Sequence, residues 1–371
     1  MAQRLKVLLL IPHLGGGGAE QVTALLARNL SREKYELHLG LVTQTRTEDG
    51  RLAPWVTIHA LGAKRVRGGW MRLLRLVWRL RPQLMLVGMA HLNSLVLLLR
   101  PLLPRETRVV VRQNATVSAA LAFGDLPWFT RSLYQRLYRR ADRIICQTQA
   151  MAEDLAQEMG VGNQQIAVLA NPVDVEAIRG AAAADEPVWA GPGPHLLAVG
   201  RLARVKGFDL LLRALAAIRR SFPQTELAVA GTGPEERALK QLAAKLGLEE
   251  AVRWMGHVEE PAALYGGAAL FVLSSRHEGM PNALLEAAAG GLPIVAVPAS
   301  PGVVELLREQ TGVWLAKEVS AHALAGALLA ALDTLPPGAR FSHPWIQQFS
   351  LTPAMHDYER LIDDVAKEWR R

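Results

Sequence analysis

Two glutamates eight positions apart, Glu278 and Glu286, stand in segment 274–287 (Ser-Ser-Arg-His-Glu-Gly-Met-Pro-Asn-Ala-Leu-Leu-Glu-Ala). Glu278 falls in a loop after an apolar strand-like run, and Glu286 lies inside the helix that Pro281 or Asn282 begins. The first amides of that helix, those of Asn282 and Ala283, favour an anion at its N-terminus together with the helix dipole. Carboxylates repel phosphate, so two of them flanking such a place read as acceptors for hydroxyl groups on either side of it. A sugar nucleotide, with phosphates between two hydroxylated rings, has that chemistry.

Cations appear at a second strand end. Segment 199–208 (Val-Gly-Arg-Leu-Ala-Arg-Val-Lys-Gly-Phe) puts Arg201 and Lys206 where they can converge on a pyrophosphate, the alternative being a solvated basic loop. Four glycines, Gly15 to Gly18, separate the first apolar run from the first helical pattern. They either let the backbone approach an anion or form a plain surface turn, and their spacing is not that of the Gly-x-Gly-x-x-Gly dinucleotide fingerprint. His91 follows the apolar run 84–88, and Arg112 and Asn114 follow the run 108–111. Each of the three is a site residue or a structural loop residue. The single cysteine, Cys146, forms no internal disulfide, no Cys/His spacing points to zinc, and no Asp-x-Asp pair is present to carry a divalent ion.

The elements that must position these residues follow from the alternation of short apolar runs with segments of helical period, the signature of parallel α/β sheets covered on both faces. Strands are predicted at 5–11, 36–42, 84–88, 108–111, 143–146 and 166–169, with helices at 20–30, 70–80, 128–139 and 151–159. Asn171-Pro172 closes that series, and the Ala-, Pro- and Gly-rich stretch 180–194 reads as a linker. A second series has strands at 196–199, 226–230, 252–255, 269–273 and 293–297 and helices at 208–219, 235–246 and 283–289. The expected architecture is two Rossmann-like doubly wound domains, 1–175 and 176–352, facing each other across a cleft, with a polar amphipathic helix at 353–371 packing back on the first.

At 371 residues, half of them apolar, the chain has material for two cores, and disordered and fibrous classes are excluded. The net charge of +8 is unevenly placed. Residues 1–175 hold 23 Lys and Arg against 12 Asp and Glu, the rest 19 against 22, and 51–105 has ten cations with no acid. Such a one-sided surface attracts phosphate or anionic headgroups. No apolar stretch is long and uncharged enough for a signal sequence or membrane span.

Taken together, Glu278-x7-Glu286, Arg-Leu-x3-Lys-Gly at 201–207, Gly-Thr-Gly-Pro at 231–234, Gly-His-Val at 256–258 and the Gly-Gly-Ala-Glu of the first turn resemble a retaining glycosyltransferase of the GT-B fold, family-4 type. The resemblance covers nearly the whole chain. It implies transfer of a sugar, a hexose or N-acetylhexosamine, from a nucleotide donor, usually UDP-linked, with retention at the anomeric carbon and no cofactor or catalytic metal. It also implies roles. Arg201 and Lys206 neutralise the donor diphosphate, Glu278 with Gly279 and Met280 meets the donor sugar, and Glu286 meets the ribose. Gly16, Gly17 and Gly18 approach the diphosphate from the first domain, and His257 and Val258 lie by the base. His91 joins the catalytic group, and Arg112 and Asn114 line the acceptor side.

Segment 64–81 carries seven cations. On helical spacing Trp70, Leu73, Leu74, Val77 and Trp78 share one face and Arg72, Arg75 and Arg79 another. Two readings stand: an interfacial helix on anionic lipid, or a surface helix packing its apolar stripe on the sheet. The expected partners are therefore a nucleotide sugar, a lipid-linked or envelope glycan acceptor and an anionic membrane surface, without nucleic acid, at the cytoplasmic face of the cell membrane. The alternatives are transfer to a soluble acceptor and a non-catalytic nucleotide-sugar-binding protein.

Overall fold

The computed structural model describes residues 4–15, 17–43, 52–122, 131–183, 193–259 and 261–368. The chain divides into two units, Met1–Pro172 with Leu351–Arg371, and Val173–Ser350. Among the described residues, unit 1 holds seven parallel strands: β1 (Leu5–Ile11), β2 (Tyr35–Leu41), β3 (Thr57–Ala60), β4 (Leu84–Gly88), β5 (Arg108–Arg112), β6 (Arg143–Cys146) and β7 (Ile166–Val168). Its helices are α1 (Gly18–Asn29), α2 (Trp70–Leu80), α3 (Ala90–Leu99), α4 (Val117–Ala122), α5 (Arg131–Tyr138) and α6 (Gln149–Met159). Unit 2 holds α7 (Val175–Ala182), β8 (His195–Val199), α8 (Phe208–Ile218), β9 (Glu226–Ala230), α9 (Glu236–Lys245), β10 (Val252–Gly256), α10 (Ala262–Gly267), β11 (Leu270–Leu273), α11 (Asn282–Ala289), β12 (Ile294–Ala296), α12 (Pro301–Leu307), β13 (Val313–Leu315) and α13 (Ala321–Thr334). The chain then returns to unit 1 as α14 (Leu351–Lys367).

The strand orders are β3-β2-β1-β4-β5-β6-β7 in unit 1 and β10-β9-β8-β11-β12-β13 in unit 2. In each sheet the order reverses once, between β1 and β4 and between β8 and β11. Ligands of doubly wound sheets bind beyond the carboxyl ends of the strands at such a switch point.

Strand β1 shows why its sequence is uninterruptedly apolar. Val7, Leu9 and Ile11 enter one core and Leu8 and Leu10 the opposite one, so neither face can be polar. The first core is closed by α1 and by Met355, Tyr358, Ile362 and Val365 of α14. Polar contacts fix that helix at its far side: Tyr35 donates to Asp363 Oδ1 at 2.8 Å, and Lys34 Nζ lies 2.7 Å from Glu359 Oε2. The opposite core is closed by α2, α3, α5 and α6. Helix α6 starts where Thr148 Oγ1 accepts from the Met151 amide at 3.2 Å, a capping bond that satisfies one exposed helix donor.

Three expectations need correction. No helix is expected directly after the predicted strand 84–88, yet α3 follows at once, separated from β4 by Met89, whose φ of +80° is strained for a residue with a Cβ. In α2 the packing stripe is Leu73, Leu76 and Val77, while Trp70 and Trp78, expected on the same face, are 40% and 49% exposed. The predicted linker 180–194 begins instead as the end of α7, and 184–192 lies outside the described residues. No helix among the described residues is long and apolar enough to cross a membrane.

Candidate active site

The loops after β8 and β11, at the switch point of unit 2, carry the cations and the first glutamate. Lys206 Nζ lies 2.6 Å from Glu278 Oε1, and Ser275 Oγ donates to the same oxygen at 2.5 Å. The Glu278 side chain is nearly enclosed, at 9% exposure, and that of Lys206 is more open, at 28%. Arg201 is exposed at the mouth of the same loop. Of the residues the motifs single out, the fold brings Lys206 and Glu278 into direct contact.

Backbone packing explains the glycines around them. A Cβ on Gly231 would overlap the Gly200 carbonyl oxygen, and one on Gly233 the Leu202 carbonyl oxygen, so the Gly-Thr-Gly-Pro loop lies directly against the Arg201 loop. Hydrogen bonds complete that contact: the Leu202 amide donates to Thr232 O at 2.9 Å and the Glu235 amide to Leu202 O at 2.9 Å. His257, exposed, and Val258 follow the end of β10.

Glu286 lies within α11 and is buried, where Tyr265 of α10 donates its hydroxyl to Oε2 at 2.8 Å. Burial first, and the glutamate charge second, push the Tyr265 phenol well above its ordinary value, so it remains a donor. Helix α11 begins at Asn282 with Ala283 following, and its N-cap, Pro281, supplies no side-chain acceptor to the first turn. Gly279 is buried and Met280 half-buried in the turn that leads there. Tyr265→Phe removes the donor and keeps the ring. The expected cost is about 1.5–3 kcal/mol, read as a lower urea midpoint, and an unchanged midpoint would show that the carboxylate does not depend on the phenol.

Unit 1 has its own group at the switch point. The first turn places His13 Nδ1 as acceptor for the Gly15 amide at 3.0 Å and 3.8 Å from Glu20 Oε1, with the buried Glu20 carboxylate folded back over Gly17. Gly17 is the N-cap of α1 and Gly18 its first residue, and Gly16 lies outside the described residues. His91 occupies the first turn of α3 rather than a loop. Partial burial, then the neighbouring His13, hold its imidazole below the ordinary value, so it is neutral at pH 7. Asn114 follows β5. Arg112 is 4% exposed and its Nη2 donates to Asn171 within unit 1. Among the described residues no group of three or more His, Cys, Asp and Glu is placed to hold a metal ion.

Ser275, Tyr265, His13 and Glu20 carry no motif signal of their own. Ser275 and Glu20 stand inside quoted motifs, which is the one hint available. Tyr265 reaches Glu286 across 21 residues, and nothing local marks it.

Residues 16–177 match the family described as Glycosyltransferase Family 4, and residues 193–334 match Glycosyl transferases group 1. An uncharacterized glycosyltransferase of Haemophilus influenzae is 32% identical over 181 residues, 47% of each chain, so the alignment spans about half of that relative. A Campylobacter jejuni protein, N-acetylgalactosamine-N,N'-diacetylbacillosaminyl-diphospho-undecaprenol 4-alpha-N-acetylgalactosaminyltransferase, is 28% identical over 314 residues, 81% of this chain and 83% of that one. The solved structure of Anabaena HepE in complex with UDP-glucose superposes with a TM-score of 0.80 at 18% identity, covering 97% of this chain and all of HepE. The fold is thus GT-B, and the chain belongs to the group 1 glycosyltransferases.

Proposed function

We propose that the chain transfers a hexose or N-acetylhexosamine from a UDP-sugar, with retention at the anomeric carbon, to a lipid-linked or cell-envelope glycan at the anionic inner face of a cell membrane. The observation that carries the donor half is the Lys206–Glu278 pair beside the exposed Arg201 and the start of α11. As the sugar–phosphate bond breaks, negative charge grows on the diphosphate while the sugar becomes oxocarbenium-like. Lys206 and Arg201 stabilise the first, and Glu278 and Glu286 accept hydroxyl hydrogen bonds that orient the sugar and the ribose. The acceptor hydroxyl attacks on the face the diphosphate leaves, and its proton passes to the departing phosphate oxygen. His91, neutral at pH 7, is positioned as a hydrogen-bonding partner and not as a fixed charge. His257, Val258 and the Gly17-Gly18 turn complete the donor contacts, and Asn114 with Arg112 supports the acceptor side. The Campylobacter relative's name supports a lipid-linked acceptor.

A panel of UDP-sugars tests the donor half. One is expected to stabilise the protein, by roughly 2.7 kcal/mol at 100 times its dissociation constant, and to release UDP when an acceptor is added. No stabilisation and no UDP release with any of them would overturn the reading. Transfer is expected to be unchanged by EDTA, since the chain's own cations carry the diphosphate charge; loss that is restored by a divalent ion would contradict this.

The membrane half rests on a surface of unit 1. Trp70, Met71, Trp78, Leu98, Leu102 and Leu133 stand exposed on or beside α2, α3 and α5, amid the acid-free stretch 51–105 and the basic residues of α5. Trp78 Nε1 donates to Leu102 O at 3.0 Å, tying α2 to the end of α3, and the Arg81 guanidinium lies 5.7 Å over the Trp78 ring. Indoles at headgroup depth among arginines are the pattern of an interfacial surface. Arg72 is already engaged, donating to Leu61 O and Gly62 O, so the test leaves it in place. Flotation with phosphatidylglycerol vesicles is expected, and its loss on combining Arg67→Glu, Arg75→Glu and Arg79→Glu. Flotation indifferent to lipid charge and to these changes would favour a soluble acceptor.

A further inference from the structure

A second layer of bonds lies behind Lys206 and Glu278. The Arg276 guanidinium meets the Asp209 carboxylate in a two-point pair, Nη1 to Oδ1 at 2.6 Å and Nη2 to Oδ2 at 2.7 Å. Nη1 also donates to the Arg204 carbonyl at 2.9 Å, and the Arg276 amide donates to Val205 O at 2.7 Å. Ser274 Oγ donates to Lys206 O at 3.0 Å, and Gly207 presses its Cα against the Ser274 carbonyl. Arg276 is thus two residues from Glu278, and all four of its bonds land within three residues of Lys206, on the turn before α8 or in its first turn. A planar fork fixed at both tips holds an orientation that a single-point lysine contact cannot.

We propose that the Arg276–Asp209 pair is a positioning device that holds the Lys206 turn and the Glu278 loop in register, so that cation and carboxylate meet the donor as one preformed unit. The inference rests on the donor reading above. Neither residue touches the donor, and both act through the backbone that carries Lys206 and Glu278. The pairing also overcomes burial: desolvation disfavours the charged Asp209, yet the hydrogen bond and charge of Arg276 hold its carboxyl below the usual range. By that sign, the pair is intact above the ordinary carboxylate range and is lost as pH falls below it.

The test is a mutant cycle with Arg276→Gln, Asp209→Asn and their combination, with Arg276→Lys as the conservative variant. Each single change is expected to lower kcat about 10²-fold, the loss that misplacement by an ångström brings, with the KM for acceptor unchanged. The double variant is expected to be no worse than either single one, since both remove the same contact, and Arg276→Lys to recover part of kcat. Amide hydrogen exchange is expected to quicken at 200–207 and 274–280 and to stay as in wild type in the remaining strands of unit 2. Asp357→Asn, which breaks an exposed pair with Arg360 on α14, is the control and leaves kcat unchanged. Wild-type kcat in Arg276→Gln, additive losses in the double variant, or exchange quickened evenly through unit 2 would each overturn the proposal. A wild-type protein that transfers from no UDP-sugar overturns the donor reading instead, and the exchange pattern, which needs no donor, then decides the clamp.

Discussion

Lys206→Met is expected to cut sugar transfer by about 10²–10³, roughly 3–4 kcal/mol of transition-state stabilisation. The loss should fall mainly on kcat, because the cation matters most when the bond to the diphosphate is breaking and least when the donor merely sits in place. Stability needs separate attention. Lys206 Nζ is 2.6 Å from the carboxylate of Glu278, whose side chain is only 9% exposed, so the single change leaves a nearly enclosed charge with Ser275 as its near neighbour. Removing one member of an enclosed pair is costly, whereas removing both is often close to neutral. The double variant Lys206→Met with Glu278→Gln should therefore regain the urea midpoint that the single variant loses, while transfer stays at or below the single variant's level. Near wild-type kcat in Lys206→Met would remove the lysine from the chemistry. Recovery of transfer in the double variant would show that the single change acted through folding.

Gly207→Ala is the second large effect, and its origin is steric. Gly207 has φ of +64°, which an L-residue adopts at a penalty of about 1–2 kcal/mol. Its added Cβ would also overlap the Ser274 carbonyl oxygen, for a further penalty of about 1–3 kcal/mol as the packing gives way. Gly247 separates the two contributions. It has φ of +66° and open space where a Cβ would go, so Gly247→Ala should show the conformational penalty alone. Thermal or urea unfolding of both variants gives the comparison, and equal losses would refute the close approach. The displaced carbonyl belongs to the loop that carries Glu278, so Gly207→Ala should also lose transfer, whereas Gly247→Ala should retain it.

How much of this was legible in the sequence depended on how locally each feature is encoded. Strands β1, β4 and β6 and helix α2 are read at their true bounds because their burial pattern is fixed by their own residues. Helix α3 is hidden because 90–99 is apolar nearly all round, so its periodicity is faint and it merges with the preceding strand. Strands β3 and β13, at the sheet edges, have no fully buried residue; β3 mixes polar and apolar residues, and the apolar run of β13 is only three residues long. The site divides in the same way. Arg201, Lys206 and Glu278 stand in recognisable order along two loops and Glu286 in the helix after the second, and the fold brings Lys206 and Glu278 into contact. Asp209 and Arg276 are 67 residues apart, and Tyr265 is 21 from Glu286, so their partnerships belong to the sheet topology and no reading of neighbours reveals them. The tryptophans of α2 fail for another reason: helical spacing gives angles, and the sheet chooses which side of the apolar arc to cover.

The return of α14 to unit 1 bears on the order in which the protein can be made. Unit 2 is one continuous segment whose entry and exit are joined, with the Val173 amide donating to Phe349 O at 2.8 Å. It can close as soon as residue 350 has left the ribosome. Unit 1, although its first strands are synthesised much earlier, must wait for Met355, Tyr358, Ile362 and Val365 before one face of its sheet is covered. The older half of the molecule is thus the later to finish, and through most of translation Leu37 and Leu39 of β2 lack part of their cover. Nascent chains that end short of α14 are accordingly where chaperones should find unit 1 uncovered.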